Sequence, residues 1–416
     1  MNRQICDGAC AGLMEGCQHS FGATSLTCAS CLSRRLQTRL GPTLHGIDGM
    51  PPQSRRAGAR RGRRAADLSS PLLERLNAHS DGLIGFVAFS PDGERIATGG
   101  QDGALRVWDA FSNLSSPLLE RLNAHKGIRS VAFPPDGARI ATGGGDGALR
   151  VWNASNLSSP LFENLNAHIW GMESVAFSPD GVRIATGGDD GALRVWDAAS
   201  NLSSPLFENL NVHIWGIESV AFSPDGARIA TGGDDGALRV WNASNLSSPL
   251  LEKLDLGLFD SAIIHSVAFS PDGGRIATGG MDGALRVWDA ASNLSSPLLA
   301  RPDALALSIS SVAFSPDGLR IATGGFSGGE WSQDFALRVW DATSNLLSPL
   351  LETYTFQTQN SRPGISSLAF SPDGTRIATG GSDGVLRVWD VGPPSQPPPT
   401  PPPTIPPLTT PPPPPT

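Results

Sequence analysis

Residues 67–391 contain no cysteine; all five, Cys6, Cys10, Cys17, Cys28 and Cys31, fall within residues 1–66. A fold built from 67–391 needs no disulfide and no oxidising compartment. Nowhere does the chain approach 18 continuous apolar residues, the length a membrane-crossing helix requires. The uncharged stretch from Gly16 to Ser33 is long enough for a signal peptide. It is too polar for a secretory core, with Gln18, His19, Ser20, Thr27 and Ser30 inside it. These absences argue for a cytoplasmic or nuclear protein with no membrane contact. The sequons at Asn113, Asn156, Asn201 and Asn242 are then linker residues without sugar. Basic charge is also scarce where acid is plentiful: residues 67–391 carry 21 Lys and Arg against 36 Asp and Glu. Such an acidic body is a poor generic binder of nucleic acid or anionic lipid.

What the chain does have is repetition. The stretch SVAFSPDGARIATGGDDGALRVW, Ser219 to Trp241, recurs in seven near-copies. Each ends in a tryptophan: Trp108, Trp152, Trp196, Trp241, Trp288, Trp340 and Trp389, spaced by 44, 44, 45, 47, 52 and 49 residues. A period of 40–50 residues indicates a repeat architecture. Within one copy, VAF reads as a strand and SPDG as a tight turn, with Pro224 presetting φ, Asp225 bonding its own backbone and Gly226 taking φ > 0. ARIATGG is a second strand and DDG a second hairpin turn. ALRVW is a third, with Leu238 and Val240 alternating against Arg239 and Trp241. A fourth follows a Ser/Asn/Pro connection, as in Leu118 to Leu122. Asn156–Trp196 and Asn201–Trp241 differ at three of 41 aligned positions, so departures from the repeat are the informative places.

The flanks differ in kind. Residues 1–66, with ten basic and three acidic residues, show no hydrophobic periodicity and read as a disordered arm. Its cysteines with His19 could supply zinc ligands, but their spacings match no known finger, and free thiols in an arm are the simpler reading. The cluster Arg55, Arg56, Arg60, Arg61, Arg63 and Arg64 is either a solvated linker, a nuclear-import signal or a patch for acidic partners, nucleic acid included. Residues 392–416 are mostly proline and threonine and carry no charge. They favour polyproline II, as a spacer or as a ligand for an SH3- or WW-type domain.

Four short strands per unit, closing on Trp-Asp (Asp109, Asp197, Asp289, Asp341, Asp390) or Trp-Asn (Asn153, Asn242), resemble the WD40 family. The resemblance covers about Leu68 to Val391. It implies an all-β, seven-bladed propeller over 67–391, with short protected strand edges. By the family's closure rule, residues 70–76 pair with 386–390, so that the two ends share a blade. The resemblance also assigns a buried hydrogen-bonded tetrad to four copies: His79/Thr98/Asp102/Trp108, His125/Thr142/Asp146/Trp152, His168/Thr186/Asp190/Trp196 and His213/Thr231/Asp235/Trp241. Hydroxyl, imidazole and carboxylate together invite comparison with a nucleophilic triad. A set repeated four times is instead structural, and no unique catalytic cluster or cofactor motif appears. The last three copies keep Thr278/Asp282/Trp288, Thr323/Asp334/Trp340 and Thr379/Asp383/Trp389 without the histidine, which predicts a less rigid side of the ring. His265 aligns with Arg129, Glu173 and Glu218, not with the tetrad.

In the family, the loops entering each blade and the turns between its second and third strands share the top face. Trp170 and Trp215 map there, as does Trp331 within the stretch Phe326 to Gln333, which makes this turn seven residues longer than in the other copies. Each indole either folds onto its own blade or meets a partner. Enlarged loops, Leu256 to His265 and Thr355 to Ile365, lie on the same face. The resemblance thus implies a non-catalytic protein-interaction scaffold. The competing readings are acid or nucleic-acid binding by the arm, and membership of a ubiquitin ligase or another assembly. The ligase subset carries Trp-Asp-x-Arg, and no arginine occurs at Phe111, Ser155, Ala199, Ser244, Ala291, Thr343 or Pro393.

Overall fold

The structure is a computed structural model that describes residues 68–80, 82–254, 263–305, 307–327, 334–355 and 364–393. The arm with its cysteines and arginine cluster, Trp331, most of both enlarged loops and the proline-rich tail lie outside the described residues. Among the described residues there are 28 strands and no helix, and the strands form seven four-stranded antiparallel sheets.

The first sheet sets the pattern: Ile84–Phe89, Arg95–Gly100, Leu105–Asp109 and Leu119–Arg121, hydrogen-bonded in that order. Its turns have physical causes. At the bottom turn of the fourth sheet Gly226 has φ +68° and its amide bonds the Ser223 carbonyl at 2.8 Å. The Ser223 hydroxyl accepts from the Arg228 amide at 2.9 Å, so serine, aspartate and glycine each hold one corner. After each third strand, the Asp or Asn following tryptophan accepts a backbone amide two residues on, as in Asp109 to Phe111 at 2.8 Å and Asn153 to Ser155 at 2.8 Å. The role needs only a side-chain oxygen, which is why Asp and Asn interchange here.

The seventh sheet is built from both ends of the chain. Ile365–Phe370, Arg376–Gly381 and Leu386–Asp390 are joined by Leu73–Arg75, in the register Leu73 to Val388 and Arg75 to Leu386. The Leu72 amide adds a 2.7 Å bond to the Val388 carbonyl, and Arg387 donates to Glu74 at 2.9 Å. The paired segment is shorter than 70–76. Pro71 has no amide to give, and Asn77 turns the chain away at φ 49°. First strands of successive sheets pack on one another, the first on the seventh included. The sheets are therefore the blades of a closed seven-membered ring with first strands innermost.

Between the blades lie seven equivalent cores. In one, Ala97, Leu105 and Val107 of the first blade meet Ile128, Val131, Ile140 and Trp152 of the second. The closing core sets Ala378, Leu386 and Val388 of the seventh blade against Ile84, Val87, Ile96 and Trp108 of the first. Alternation along a third strand thus does not separate inside from outside: Leu238, Arg239, Val240 and Trp241 are all buried. It assigns alternate side chains to the two neighbouring blades. The blades come so close that a β-carbon on Gly99 would collide with the Ile128 side chain, and the same holds for Gly380 against Ile84. Glycine inside a strand marks this approach.

A second device runs round the bottom of the ring. The arginine that opens each second strand reaches into the next blade. Arg95 donates to the Ala154 and Gly137 carbonyls at 3.0 and 3.1 Å, and its guanidinium lies 5.9 Å from the Phe133 ring centre. The pattern repeats through Arg139, Arg183, Arg228, Arg275 and Arg320. Arg376 completes it with bonds to Ala110 and Gly93 of the first blade. Seven arginines, each bidentate and each over a phenylalanine, tie every blade to its neighbour.

Candidate functional site

The four histidines each stand in the loop entering a blade. Their backbone is held by the preceding blade's top turn: the His168 amide donates to the Gly147 carbonyl at 2.9 Å and the His213 amide to Gly191 at 3.2 Å. Each imidazole reaches into its own blade. His79 Nδ1 lies 2.7 Å from Asp102 Oδ1, His79 Nε2 lies 2.9 Å from the Thr98 hydroxyl, and the Trp108 indole donates to that hydroxyl at 2.9 Å. The other three sets repeat the geometry, with His–Asp distances of 2.7, 2.7 and 2.6 Å for His125, His168 and His213. The chain of bonds places the ring proton on Nδ1, toward the aspartate, so that Nε2 accepts from threonine.

Burial dominates the titration of these groups. It lowers the pKa of all four histidines, against the opposing pull of the aspartates, so the rings are neutral. Burial works against the aspartate charge too, but hydrogen bonds from His79, Arg106 and the Ala104 amide hold Asp102 well below the ordinary carboxylate range. Thr98, Thr142, Thr186 and Thr231 are fully buried. No substrate can reach these hydroxyls, so the sets serve packing: each satisfies polar groups that would cost about 1–3 kcal/mol apiece if left unpaired.

Where histidine is missing, the remaining groups regroup. Asp282 takes Arg286 at 2.7 Å and the Ala284 amide at 3.0 Å; Asp383 takes Arg387 at 2.7 Å and the Val385 amide at 3.1 Å. The indoles of Trp288, Trp340 and Trp389 still donate to Thr278, Thr323 and Thr379. In the sixth blade Leu305 stands in the histidine's place, buried, its amide on the Gly283 carbonyl at 3.0 Å. There the hairpin is also extended, and the backbone register sets Asp334 opposite Ser327.

The top face is different in character over the third and fourth blades. Trp170 and Trp215 project into solvent, 64% and 66% exposed, beside Ile169 at 80% and Ile214 at 78%. Neither indole folds onto its blade. Carboxylates lie directly beneath them. A β-carbon on Gly171 would lie 2.7 Å from Asp189 Oδ2, and one on Gly216 would lie 3.1 Å from Asp234 Oδ2. Arg129 pairs with Glu173 and, at 3.1 Å, with Asp189. His265 lies 3.5 Å from Glu218. Burial, the neighbouring Glu218 charge and a hydrogen bond shared with that carboxyl push Asp234 up to about 6, with His265 opposing.

The comparisons with known proteins bear on the whole ring. The family described as WD domain, G-beta repeat matches residues 70–109, 116–153, 159–197, 205–242, 258–289, 306–341 and 351–390. The chain belongs to the WD40 family. Five of the seven matched units begin with an outer strand and all seven end with a third strand, so the repeat straddles two blades of the WD40 ring, and the first unit supplies the strand that closes it. No curated protein matches the chain.

Sequence reasoning found the two exposed tryptophans and missed the acids below them. The signal was present. The residue before the tetrad aspartate is Gln101, Gly145, Asp189, Asp234, Met281 and Ser382 in the copies without an insertion, and it is acidic only in the two copies that carry the tryptophans. Among the described residues, no three His, Cys, Asp or Glu side chains are grouped to hold a metal ion, and no helix is long and apolar enough to cross a membrane.

Proposed function

We propose that this WD40 protein is a non-catalytic interaction scaffold that docks protein partners on the top face of its third and fourth blades. The observation that carries the reading is the exposure of Ile169, Trp170, Ile214 and Trp215 in adjacent loops of an otherwise regular ring. Large apolar side chains held in solvent are costly unless they meet something, and tryptophan is over-represented among interface hot spots. The scaffold beneath is rigid, tied by buried tetrads above and arginine clamps below, so little ordering entropy is lost on binding. The propeller fold alone would not assign this role. The loops that depart from the repeat support it.

The test is co-purification from cells with the full chain as bait, against a Trp170→Ala/Trp215→Ala double variant checked for folding by circular dichroism. Partners retained by the wild type and lost by the variant support the reading. Identical partner sets would sink it and move attention to the arm, the tail or the bottom face.

A further inference from the structure

Resting on that docking reading, we infer that the partner presents a lysine or arginine beside a large apolar side chain. The cation would settle between Asp189, Asp234 and Glu218, and the apolar group would lie on the Ile169–Trp170 and Ile214–Trp215 edges. Both halves of the surface are on one spot. Gly171 and Gly216, the residues immediately after the two indoles, pack against Asp189 and Asp234, so indole and carboxylate are separated by a single residue in each loop. Apolar contact supplies the area and charge complementarity selects the occupant.

The charges do not balance within the protein. On the top of the third to fifth blades Glu173 and Asp189 are both paired to Arg129, whereas Glu218 and Asp234 have no Lys or Arg partner among the described residues, the His265 ring lying 3.5 Å from Glu218. Burial and the Glu218 charge beside it make Asp234 hold its proton up to about pH 6. A guanidinium or ammonium placed between the two relieves their repulsion better, because it satisfies both carboxylates at once and adds donors in a fixed fork. An acidic segment, or nucleic acid, meets charge of its own sign there and is repelled. Glycine at 216 keeps the approach to Asp234 open, since a side chain there would press on its carboxylate, and glycine at 171 leaves room for Arg129 beside Asp189.

Proton exchange gives the proposal a second signature. The cation must displace the Asp234 proton, so affinity rises with pH through about 6, the region where Asp234 titrates. With Asp234 protonated at pH 5 and ionised at pH 7.5, the dissociation constant should differ by about tenfold. The groups that bear on Asp234 are Glu218 on its own blade, Asp189 on the third and His265 on the fifth.

The experiment is panning of the full chain against a phage-displayed library of random nonamer peptides, followed by fluorescence polarisation with the best labelled peptide. Enriched sequences should carry Lys or Arg next to Leu, Phe or Trp. Binding should weaken about tenfold or more with Asp189→Asn/Asp234→Asn, and likewise with Trp170→Ala/Trp215→Ala, while circular dichroism stays unchanged. Raised salt should weaken it as well. Peptides without a basic residue, or undiminished binding by the Asn variant with loss in the Trp variant, would overturn the cation and leave the docking face standing. Undiminished binding by the Trp variant would overturn the docking face itself. A library that yields no binder overturns the inference.

Discussion

Consider Arg320→Met, which removes the bottom clamp between the sixth and seventh blades. Arg320 is 3% exposed, donates to the Val391 and Gly374 carbonyls at 2.8 and 2.7 Å, and lies 5.8 Å from the Phe370 ring centre. Each charge-assisted hydrogen bond contributes about 1.5–3 kcal/mol, and the ring contact about 0.5–1 kcal/mol. Two terms oppose. Burial lowers the pKa of this guanidinium, so its charge is held at a cost, and its Nε is buried without a partner. Methionine also refills the space of the stem. The expected net loss is about 2–4 kcal/mol. For an ordered domain of roughly 325 residues at about 2.1 cal/mol/K per residue, 3 kcal/mol lowers Tm by about 4 °C. Scanning calorimetry reads this directly. Arg183→Met, whose bonds are 3.2 and 2.8 Å and whose side chain is less buried, should lose less. Arg320→Lys should fall close to Arg320→Met, because an ammonium cannot span two carbonyls and stack at once. A Tm within 1 °C of wild type for Arg320→Met, or full recovery by lysine, would refute the clamp.

Other outcomes follow from the same geometry. His168→Leu copies the state of the sixth blade, where Leu305 stands in that place. Asp190 should then keep Arg194 and the Ala192 amide, and the loss should stay near 2 kcal/mol by calorimetry. Four buried neutral histidines make the ring sensitive to acid. Their folded pKa values lie below the unfolded one, so this contribution is complete above pH 6.5 and is lost as pH falls below it, by up to about 1.4 kcal/mol per pH unit for each histidine. A flat Tm between pH 7 and 5 would contradict it. Gly99→Ala drives a methyl into Ile128 and should cost about 1–3 kcal/mol, with Gly99→Ala/Ile128→Ala recovering part of it. Native-state hydrogen exchange should be fastest in the fifth to seventh blades, where the histidine bond is absent.

How legible was this in the sequence? Strands and turns were, because Gly226 needs positive φ, Asp225 closes its own turn and Val-Ala-Phe suits a pleated surface; these are local causes. The tetrads could be assembled because each copy repeats them at fixed spacing. The clamp could not. Arg95 looks like a surface residue opening a strand, and its acceptors, Gly137 and Ala154, are 42 and 59 residues on. Only stacking one blade on the next brings them together. The paired glycines of Thr-Gly-Gly likewise read as a weak strand end until Ile128 is seen against Gly99. The acid below Trp215 was hidden for a related reason. Glu218 and Asp234 belong to one copy and His265 to the next, and stacking of the blades makes all three neighbours. His265 was visibly out of line with the tetrads, but what it faces is set by closure of the ring, not by its own copy.

The most direct test of the docking face is site-specific photocrosslinking of the full chain in cells. Benzoylphenylalanine would replace Trp170, Trp215 or, as a control on the opposite end of the ring, Phe111, which is exposed to a similar extent at 67%. The account predicts a shared set of crosslinked proteins at 170 and 215 that is absent at 111. Equal crosslinking at all three positions, or capture at 111 alone, would contradict it.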